Sequence, residues 1–313
     1  MAAGPSGKPP CYAYSSCRNA KDQVKTAGWA PFPYADRRFR YAHSALQKHW
    51  GRLHMGDKEP YPGAQYLAEL CKDGHQAGEL ISDFDGDFAA VSERLLEAWR
   101  LYHEGEFQAA AQLGMSLGAI GYAAANKAAA IHATYLEKGA AAKQKRLQEA
   151  VARAERAMAV LPRHANSHYL YAYALGRYSQ EISVVQALAQ GFGGKIKTAL
   201  ERTLELEPDH AEAHTALGTY HAEILDKVGA MLGALTYGAS KDEALRHYQT
   251  ALKLHPQSAI ARVELANGLM MLYGKSRLDE ATRLYVEASK LEACDAMEQL
   301  DIEHAKSRLE EAG

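Results

Sequence analysis

Histidines at helical spacing are the residues of this sequence best suited to bind a metal ion. His164 and His168 are four positions apart, as are His210 and His214, and His221 follows seven positions after His214. Two histidines four apart on one helix can chelate zinc. His164 and His210, however, each fall in the turn that follows a proline, before a helix begins, and His168 and His214 occupy packing positions. We therefore predict structural histidines and no metal site.

Two other motifs imitate ligand-binding loops. The glycine cluster Gly191–Thr198 (GFGGKIKT) lacks the first glycine, the hydroxyl residue after the lysine and the preceding strand of a phosphate-binding loop. The acidic run Asp83–Phe88 (DFDGDF) lacks the glycine and the glutamate that a calcium loop requires at its sixth and twelfth positions. We expect the glycines to permit a sharp turn at a helix start, and Asp85 or Asp87 to cap the next helix. No cofactor is predicted.

A basic stretch with interleaved aromatic residues, Arg37–Arg52, has the composition that single-stranded nucleic acids bind. The same stretch also fits an amphipathic helix in which Phe39, Leu46, Trp50 and Leu53 point inward while the cationic groups stay solvated. We prefer the second interpretation, with a helix that docks on the rest of the chain. The prediction is accordingly no nucleic-acid partner.

Composition and charge are those of an ordinary soluble protein. The chain has 313 residues, 47% hydrophobic and 24% charged, and a net charge of -2. Residues 1–60 carry ten Lys or Arg and four Asp or Glu, a balance of +6, so the remainder carries -8. The four cysteines form no repeated pattern, which fits a reducing compartment. The first residues have no apolar region typical of a secretory signal, and no apolar run approaches membrane-spanning length. These features predict a cytoplasmic protein without a membrane span.

No Ser/His/Asp or Cys/His arrangement and no pair of carboxylates suited to catalysis stands out in the sequence. Such residues can still meet in space, because catalytic groups are defined by geometry and not by sequence order. Helical repeat proteins are used for catalysis only in a minority of cases. We therefore predict a protein that is not an enzyme.

The elements that would position these side chains repeat along the chain. Pro162, Pro208 and Pro256 each end a helix rich in small residues, and they are spaced by 46 and 48 residues. The spacing Ala-x3-Tyr-x2-Ala recurs at Ala244–Ala251 and Ala281–Ala288, which places small and aromatic residues on one helical face. A further helix starts after each proline. This pattern predicts helical hairpins of the tetratricopeptide type.

The repeat period is longer than the usual 34 residues of that hairpin, so each unit carries an insertion of roughly 12–14 residues. The insertions follow the first helix of a hairpin, over residues 177–194 and 225–242. Both are amphipathic and interrupted by glycines. We expect them to lengthen helices, to project from one edge and to cover a groove.

Residues 163–311 resemble a group of bacterial tetratricopeptide proteins through phrases such as GGKIKTALERTLELEPDHAEAH and YGASKDEALRHY. In layout the region also looks like the regulator-of-microtubule-dynamics proteins of animals, and more distantly like the tetratricopeptide accessory subunit of TRAP transporters. The resemblance implies an all-α fold, a right-handed superhelical solenoid of degenerate tetratricopeptide-like hairpins with long insertions. The membrane location of those relatives is not carried over.

Three regions are predicted along the chain. Residues 1–35 are expected to be an extended, poorly structured arm, and residues 36–80 a short helical segment. A helix over residues 33–54, capped by Asp36, belongs to that segment. Residues 81–311 are expected to form the helical array, which ends in a capping helix.

A solenoid of this kind has a concave face lined by the first helix of each hairpin, and the main functional hypothesis is a scaffold that binds a peptide or protein there. Tyrosine and arginine would anchor the partner. The oligomeric state is left open. The residues predicted to face this partner are Tyr169, Tyr173, Arg177, Thr219, Glu223, Asn267 and Met271.

The alternative hypothesis, implied by the resemblance to the transporter subunit, is a protein that binds a small hydrophobic molecule. The insertions would then roof a channel, and Val228, Met231, Leu232 and Leu235 would line it. An open groove favours the peptide scaffold, whereas an enclosed apolar cavity favours the small-molecule binder.

Overall fold

A computed structural model of the protein describes residues 28–34, 39–72 and 77–312, and in these ranges the chain forms helices and no strand. None of the described helices is both long and apolar enough to cross a membrane. Short 3-10 turns occur at Ala119–Gly121 and Gly274–Arg277. The α-helices are α1 (His43–Leu53), α2 (Ala64–Lys72), α3 (Ala77–Leu80), α4 (Phe88–Glu104), α5 (Phe107–Ser116), α6 (Tyr122–Tyr135), α7 (Ala140–Val160), α8 (Ala165–Gln180), α9 (Val184–Ala189), α10 (Phe192–Leu206), α11 (Ala211–Val228), α12 (Ala230–Tyr237), α13 (Lys241–Leu254), α14 (Ala259–Tyr273), α15 (Leu278–Ser289) and α16 (Ala296–Ala312).

The proline-ended helices lie where the sequence pattern predicts them. Helices α7, α10 and α13 each end two residues before Pro162, Pro208 or Pro256, because a proline cannot continue the backbone hydrogen bonding of a helix. A new helix starts three residues after each proline. The Ser258 hydroxyl accepts the backbone N–H of Ala261 at the start of α14, and the His210 imidazole accepts that of Ala213 at the start of α11. Each helix from α4 to α8 packs against the next.

The two insertions form short helices of their own. Helix α9 stands between α8 and α10, and α12 stands between α11 and α13, yet α8 still packs against α10 and α11 against α13. Gly191 and Gly229 precede α10 and α12 with φ angles of 66° and 85°, a conformation in which glycine has no steric penalty. The insertions therefore leave the hairpin packing intact.

A tyrosine held between two glycines illustrates the close approach of helices in the C-terminal hairpins. The Tyr248 side chain is fully buried. A Cβ atom on Gly218 or on Gly268 would lie 2.7 Å from the Tyr248 ring. The two glycines thus allow the Tyr248 ring of α13 to pack directly against the backbones of α11 and α14.

The basic N-terminal segment packs through its apolar side chains, as the amphipathic interpretation predicts. Phe39, Leu46, Trp50 and Leu53 are all buried in the core shared with α4 and α5. The helix itself starts only at His43, so the prediction of a helix from residue 33 is wrong at its N-terminal end. Asp36 and the neighbouring basic residues 37 and 38 lie outside the described residues.

The predicted arm of residues 1–35 is described only over residues 28–34. Here the Trp29 ring lies 4.6 Å from the His132 ring, and the Arg146 guanidinium lies 4.2 Å from the centre of the Trp29 ring. Phe32 packs edge-on against Phe107. This piece of chain is therefore attached to α5, α6 and α7.

The N-terminal segment also contacts the last helix. Arg52 donates two hydrogen bonds to Glu298, of 2.7 and 3.1 Å. His103 of α4 lies 2.8 Å from the Asp295 carboxylate, and α4 packs against α16. The first and last parts of the described chain are thus joined by buried and half-buried polar contacts.

Candidate functional site

The inner helices of the hairpins surround a cavity of about 170 Å³. Side chains of α6, α8, α11, α14 and α16 line it, and α9 and α10 close one side. Helices α8, α11 and α14 each follow one of the three prolines, so the cavity lies beside the helices that are predicted to face a partner. This cavity is the candidate site.

Five of the seven residues predicted to face a partner line this cavity. Tyr169, Tyr173 and Arg177 follow one another at four-residue spacing on α8, and Thr219 and Glu223 do so on α11. Residues four apart lie on the same face of a helix, so each set points to the cavity together. The sequence therefore correctly predicted that these five residues lie together. Their role in binding is still a prediction.

The structure does not bring Asn267 and Met271 to the cavity. Asn267 accepts a hydrogen bond of 2.6 Å from the Tyr285 hydroxyl, between α14 and α15, and Met271 packs in the C-terminal core. Ile260 and Glu264 are the residues of α14 that reach the cavity. The residues of α14 that face the cavity thus precede the predicted ones by about one helical turn.

The walls of the cavity are mainly aliphatic and aromatic. Helix α9 contributes Val184 and Leu188, so the first insertion covers the cavity as predicted. The second insertion behaves differently. Val228 lines the cavity, but Met231, Leu232 and Leu235 are 86%, 52% and 84% exposed. The expectation that those three residues line a channel is wrong, because α12 packs on α11 through Gly233 and turns its larger side chains outward.

Charged side chains on the wall are already paired with one another. The Arg177 guanidinium lies 3.2 Å from the Glu264 carboxylate and 5.3 Å from the centre of the Tyr173 ring. Burial opposes the charged form of Arg177, but the nearby Tyr173 and Glu264 outweigh burial and raise its pKa. The other oxygen of Glu264 accepts a hydrogen bond from Thr219. This side of the cavity thus presents a cation that is fixed in place.

A buried ionic cluster closes the inner end. The Lys127 ammonium contacts the carboxylates of both Asp57 and Glu212. Burial alone would raise the pKa of the Asp57 carboxyl, but Lys127 and His54 hold it well below its usual range. Burial raises the pKa of Glu212 in spite of the same lysine. Asp57 therefore carries the charge that balances Lys127.

Two further hydrogen-bonding groups complete the lining. The Tyr135 hydroxyl donates to the Asp301 carboxylate, and burial raises the pKa of Asp301 well above its usual range. Both residues line the cavity beside Met297. With the charges paired, the groups that remain for a ligand are apolar walls with tyrosine and carboxyl groups able to hydrogen bond.

The histidines noted in the sequence lie elsewhere. His164 and His210 precede α8 and α11 in the turns after the prolines, as predicted. His168 and His214 each approach the carbonyl oxygen of the preceding proline, at 2.9 and 3.2 Å. His221 of α11 faces α13. Its neighbours there are Glu243 and His247, which lie on another helix and so fall outside the pattern of two histidines four residues apart.

The two imitated loops have the structural roles that the sequence predicts. The Asp87 carboxylate accepts the backbone N–H groups of Ala89 and Ala90, at 2.9 and 3.1 Å, and so caps α4. The glycine cluster turns the chain into α10 at Phe192.

Comparison with known proteins gives one family. The family model described as Regulator of microtubule dynamics protein 1-3 matches residues 121–312, which is more than half of the chain and includes most of the helices around the cavity. No curated protein matches the sequence.

Proposed function

The chain belongs to the family of regulator of microtubule dynamics proteins, and on that premise we propose that it is a non-catalytic tetratricopeptide-type protein that binds a small apolar ligand in the cavity. The hairpins are proposed to form a right-handed superhelix with this cavity on its concave face. Support for the tetratricopeptide assignment comes from the proline-ended helices and from the glycine-to-tyrosine packing around Tyr248. The proposal includes a cytoplasmic location, which the small number of cysteines favours.

The size and lining of the cavity carry this proposal. Its volume of about 170 Å³ is close to the ~150 Å³ of an engineered apolar cavity that binds benzene. An α-helix with its side chains is about 10 Å across, so a helical peptide is too wide for the space. Pockets for small molecules are typically apolar with a few convergent polar groups. The walls around Leu188, Phe192 and Val228, with Tyr173 and Asp301 at the polar side, meet this description.

Gly176 offers a direct test. It lines the cavity, and a Cβ atom placed on it would have no other side chain within 4 Å. Leucine at this position should therefore fill the cavity without displacing its walls. We expect indole, a small neutral aromatic probe, to bind the wild-type protein at one site in isothermal titration calorimetry and to be displaced by 1-alkanols. Gly176→Leu should weaken this binding at least tenfold without lowering the melting temperature, because leucine favours the helix more than glycine does.

Gly194→Leu is the matched control, because Gly194 is an exposed helical glycine that also has free space around it and does not line the cavity. It should bind the probe like the wild type. If the wild type does not bind the probe saturably, or if Gly176→Leu binds it unchanged, the cavity is not a ligand site and the proposal fails.

A second candidate function is the peptide scaffold, favoured by one specific observation. The two insertion helices carry the exposed apolar side chains of Val185, Met231 and Leu235. These residues come shortly after Val184 and Val228 in the sequence, and both of those line the cavity. A peptide could lie across this apolar rim and insert one side chain into the cavity. Tyr173 and Arg177 would then act as anchors.

Capture of partners from the native host distinguishes the two functions. A peptide scaffold should lose its partner both in Met231→Ser plus Leu235→Ser and in Tyr173→Ala plus Arg177→Ala. If the second double variant retains every recovered partner, the cavity is not the peptide site.

A further inference from the structure

A cluster of histidines with one glutamate joins α11 to α13, away from the cavity. Single ligand atoms of His221, Glu243 and His247 all lie within 4.8 Å of one another. The rings of His221 and His247 are nearly parallel, with an angle of 18° and a centre-to-centre distance of 5.9 Å. His247 Nε2 lies 3.8 Å from Glu243 Oε2. Two imidazoles and a carboxylate from two packed helices thus bring their ligand atoms close together, and at least one ring must turn before both lone pairs can point at the same ion.

We propose that His221, Glu243 and His247 bind a divalent transition-metal ion of the zinc class. Imidazole nitrogen and carboxylate oxygen are the ligands that zinc and its neighbours accept, and three protein ligands leave a fourth position for water. Bonds of about 2.0–2.1 Å to a tetrahedral ion place ligand atoms roughly 3.4 Å apart. The three side chains must therefore close by about 1 Å, which small rotations of the Glu243 side chain and the rings supply.

The hydrogen bonds of His214 determine which nitrogen of His247 is unprotonated. His214 Nε2 lies 3.2 Å from the carbonyl oxygen of Pro208, which can only accept, so this nitrogen carries the proton. The neutral ring then accepts at Nδ1, which lies 2.8 Å from His247 Nδ1. The proton between the two rings therefore belongs to His247 Nδ1. His247 Nε2 is left as a lone pair on the side of Glu243, the tautomer that a metal ligand needs.

The Arg246 side chain already occupies part of the proposed metal site. The Arg246 guanidinium donates to His247 Nε2 at 3.0 Å and forms an ion pair with Glu243. The Arg246 side chain is 54% exposed, so it can move into solvent at little cost. A metal ion would take over both of its contacts. Arg246 is therefore a competitor of the metal and not a ligand.

His221 is the ligand that must change most on binding. Its Nδ1 accepts the backbone N–H of Ser240 at 3.3 Å, the residue that precedes α13. Metal binding through Nδ1 displaces this long hydrogen bond, and binding through Nε2 requires the ring proton to move to Nδ1, which breaks the same hydrogen bond. In either case the ion would hold α11 to the start of α13, where the insertion helix α12 returns to the array.

The test uses the full-length chain without an affinity tag, titrated with zinc chloride by isothermal calorimetry. Cobalt(II) serves as a visible probe, because a tetrahedral site gives it strong d–d absorption. We expect one saturable zinc site and a melting temperature that rises with zinc and returns with EDTA. Glu243→Gln and His247→Gln should each weaken zinc binding at least tenfold. Glu243 is only half-buried, so its variant should fold.

Arg246→Gln gives an opposite and more specific readout. Removal of the competing guanidinium should tighten zinc binding several-fold, a result that a merely structural role of the cluster does not produce. His168→Gln is the matched control, because His168 holds the same position in the preceding hairpin as His214 and contacts the corresponding proline carbonyl. It should leave zinc binding unchanged. The proposal is overturned if the wild type binds no zinc, or if Glu243→Gln and Arg246→Gln both bind it like the wild type.

Discussion

Lys127 Nζ lies 3.0 Å from Glu212 Oε1, with the lysine buried and the carboxylate largely so. The second carboxylate on the same ammonium, Asp57, belongs to the N-terminal segment before α2. One cation on α6 thus joins two carboxylates from parts of the chain that are 85 and 70 residues away from it. The buried ion cluster connects the N-terminal segment to the hairpins at the inner end of the cavity.

Lys127→Met should lower the free energy of unfolding by about 3–5 kcal/mol, because it leaves buried carboxylates without a counter-charge. Urea denaturation followed by circular dichroism measures the change. Lys253→Met, which removes an exposed lysine of α13, is the control and should stay within about 0.5 kcal/mol of the wild type. Equal losses in the two variants would mean that the cluster does not stabilise the fold.

Acidification should destabilise the protein well above the pKa range of ordinary carboxylates. Burial lowers the pKa of His210 to about 3 and the pKa values of His132 and His255 to about 4, against about 6.5 in an unfolded chain. The folded pKa values are depressed, so their contribution to stability is complete above pH 6.5 and is lost as pH falls toward the folded values. Glu212 and Asp301 have raised pKa values, so their protonation on acidification stabilises the folded state and partly offsets the effect of the histidines. We expect a net fall in melting temperature between pH 7 and pH 5.

His210→Asn isolates one titrating group in that experiment. Asparagine retains an acceptor for the N-terminus of α11 but takes up no proton. The slope of unfolding free energy against pH between 6 and 5 should therefore decrease by on the order of 1 kcal/mol per pH unit. Identical slopes in the variant and the wild type would show that His210 ionises normally in the folded protein.

Gly268→Ala should destabilise the protein even though alanine favours helix. The added Cβ would lie 2.7 Å from the Tyr248 ring, and overpacking of this kind costs about 1–3 kcal/mol. Gly194→Ala, at a helical glycine with no close neighbours, should instead stabilise by up to about 1 kcal/mol. Thermal denaturation of the two variants should give shifts of opposite sign. A stabilised Gly268→Ala would contradict the close helix approach around Tyr248.

Ala251→Leu tests the same hairpin from the other side. Ala251 of α13 is fully buried, so the larger side chain should lower stability by about 1–3 kcal/mol. Gln249→Leu changes an exposed position of the same helix and should leave the melting temperature nearly unchanged. An unchanged melting temperature in Ala251→Leu would undercut the repeat alignment itself.

Local signals in the sequence were enough for the hairpins and for most of the candidate site. Proline cannot continue a helix beyond its first turn, so Pro162, Pro208 and Pro256, each after a run of helix-forming residues, mark three helix ends without any long-range information. The four-residue spacing of Tyr169, Tyr173 and Arg177 likewise defines one helical face. Residues on the faces of α8 and α11 could therefore be predicted to lie together.

Contacts between distant residues could not be read in the same way. Nothing local links Asp57 to Lys127, because their pairing depends on how the N-terminal segment folds back on α6. The outward orientation of Met231 and Leu235 depends on Gly233, which packs against α11. The position of α14 along its axis, which brings Glu264 rather than Asn267 to the cavity, is set by the helices packed against it and is not visible in the repeat pattern.

The contact between Arg52 and Glu298 has a consequence for how this protein can evolve. A repeat array with free ends gains or loses hairpins by duplication and deletion, and each change adds or removes a similar unit. Here the last helix meets the N-terminal segment, so the helices between them must keep the two ends of the described chain together. One additional hairpin would carry Glu298 away from Arg52 and expose the polar groups that now pair. Adding or deleting a pair of helices would therefore break this contact, whereas a change of length within a loop or an insertion would preserve it.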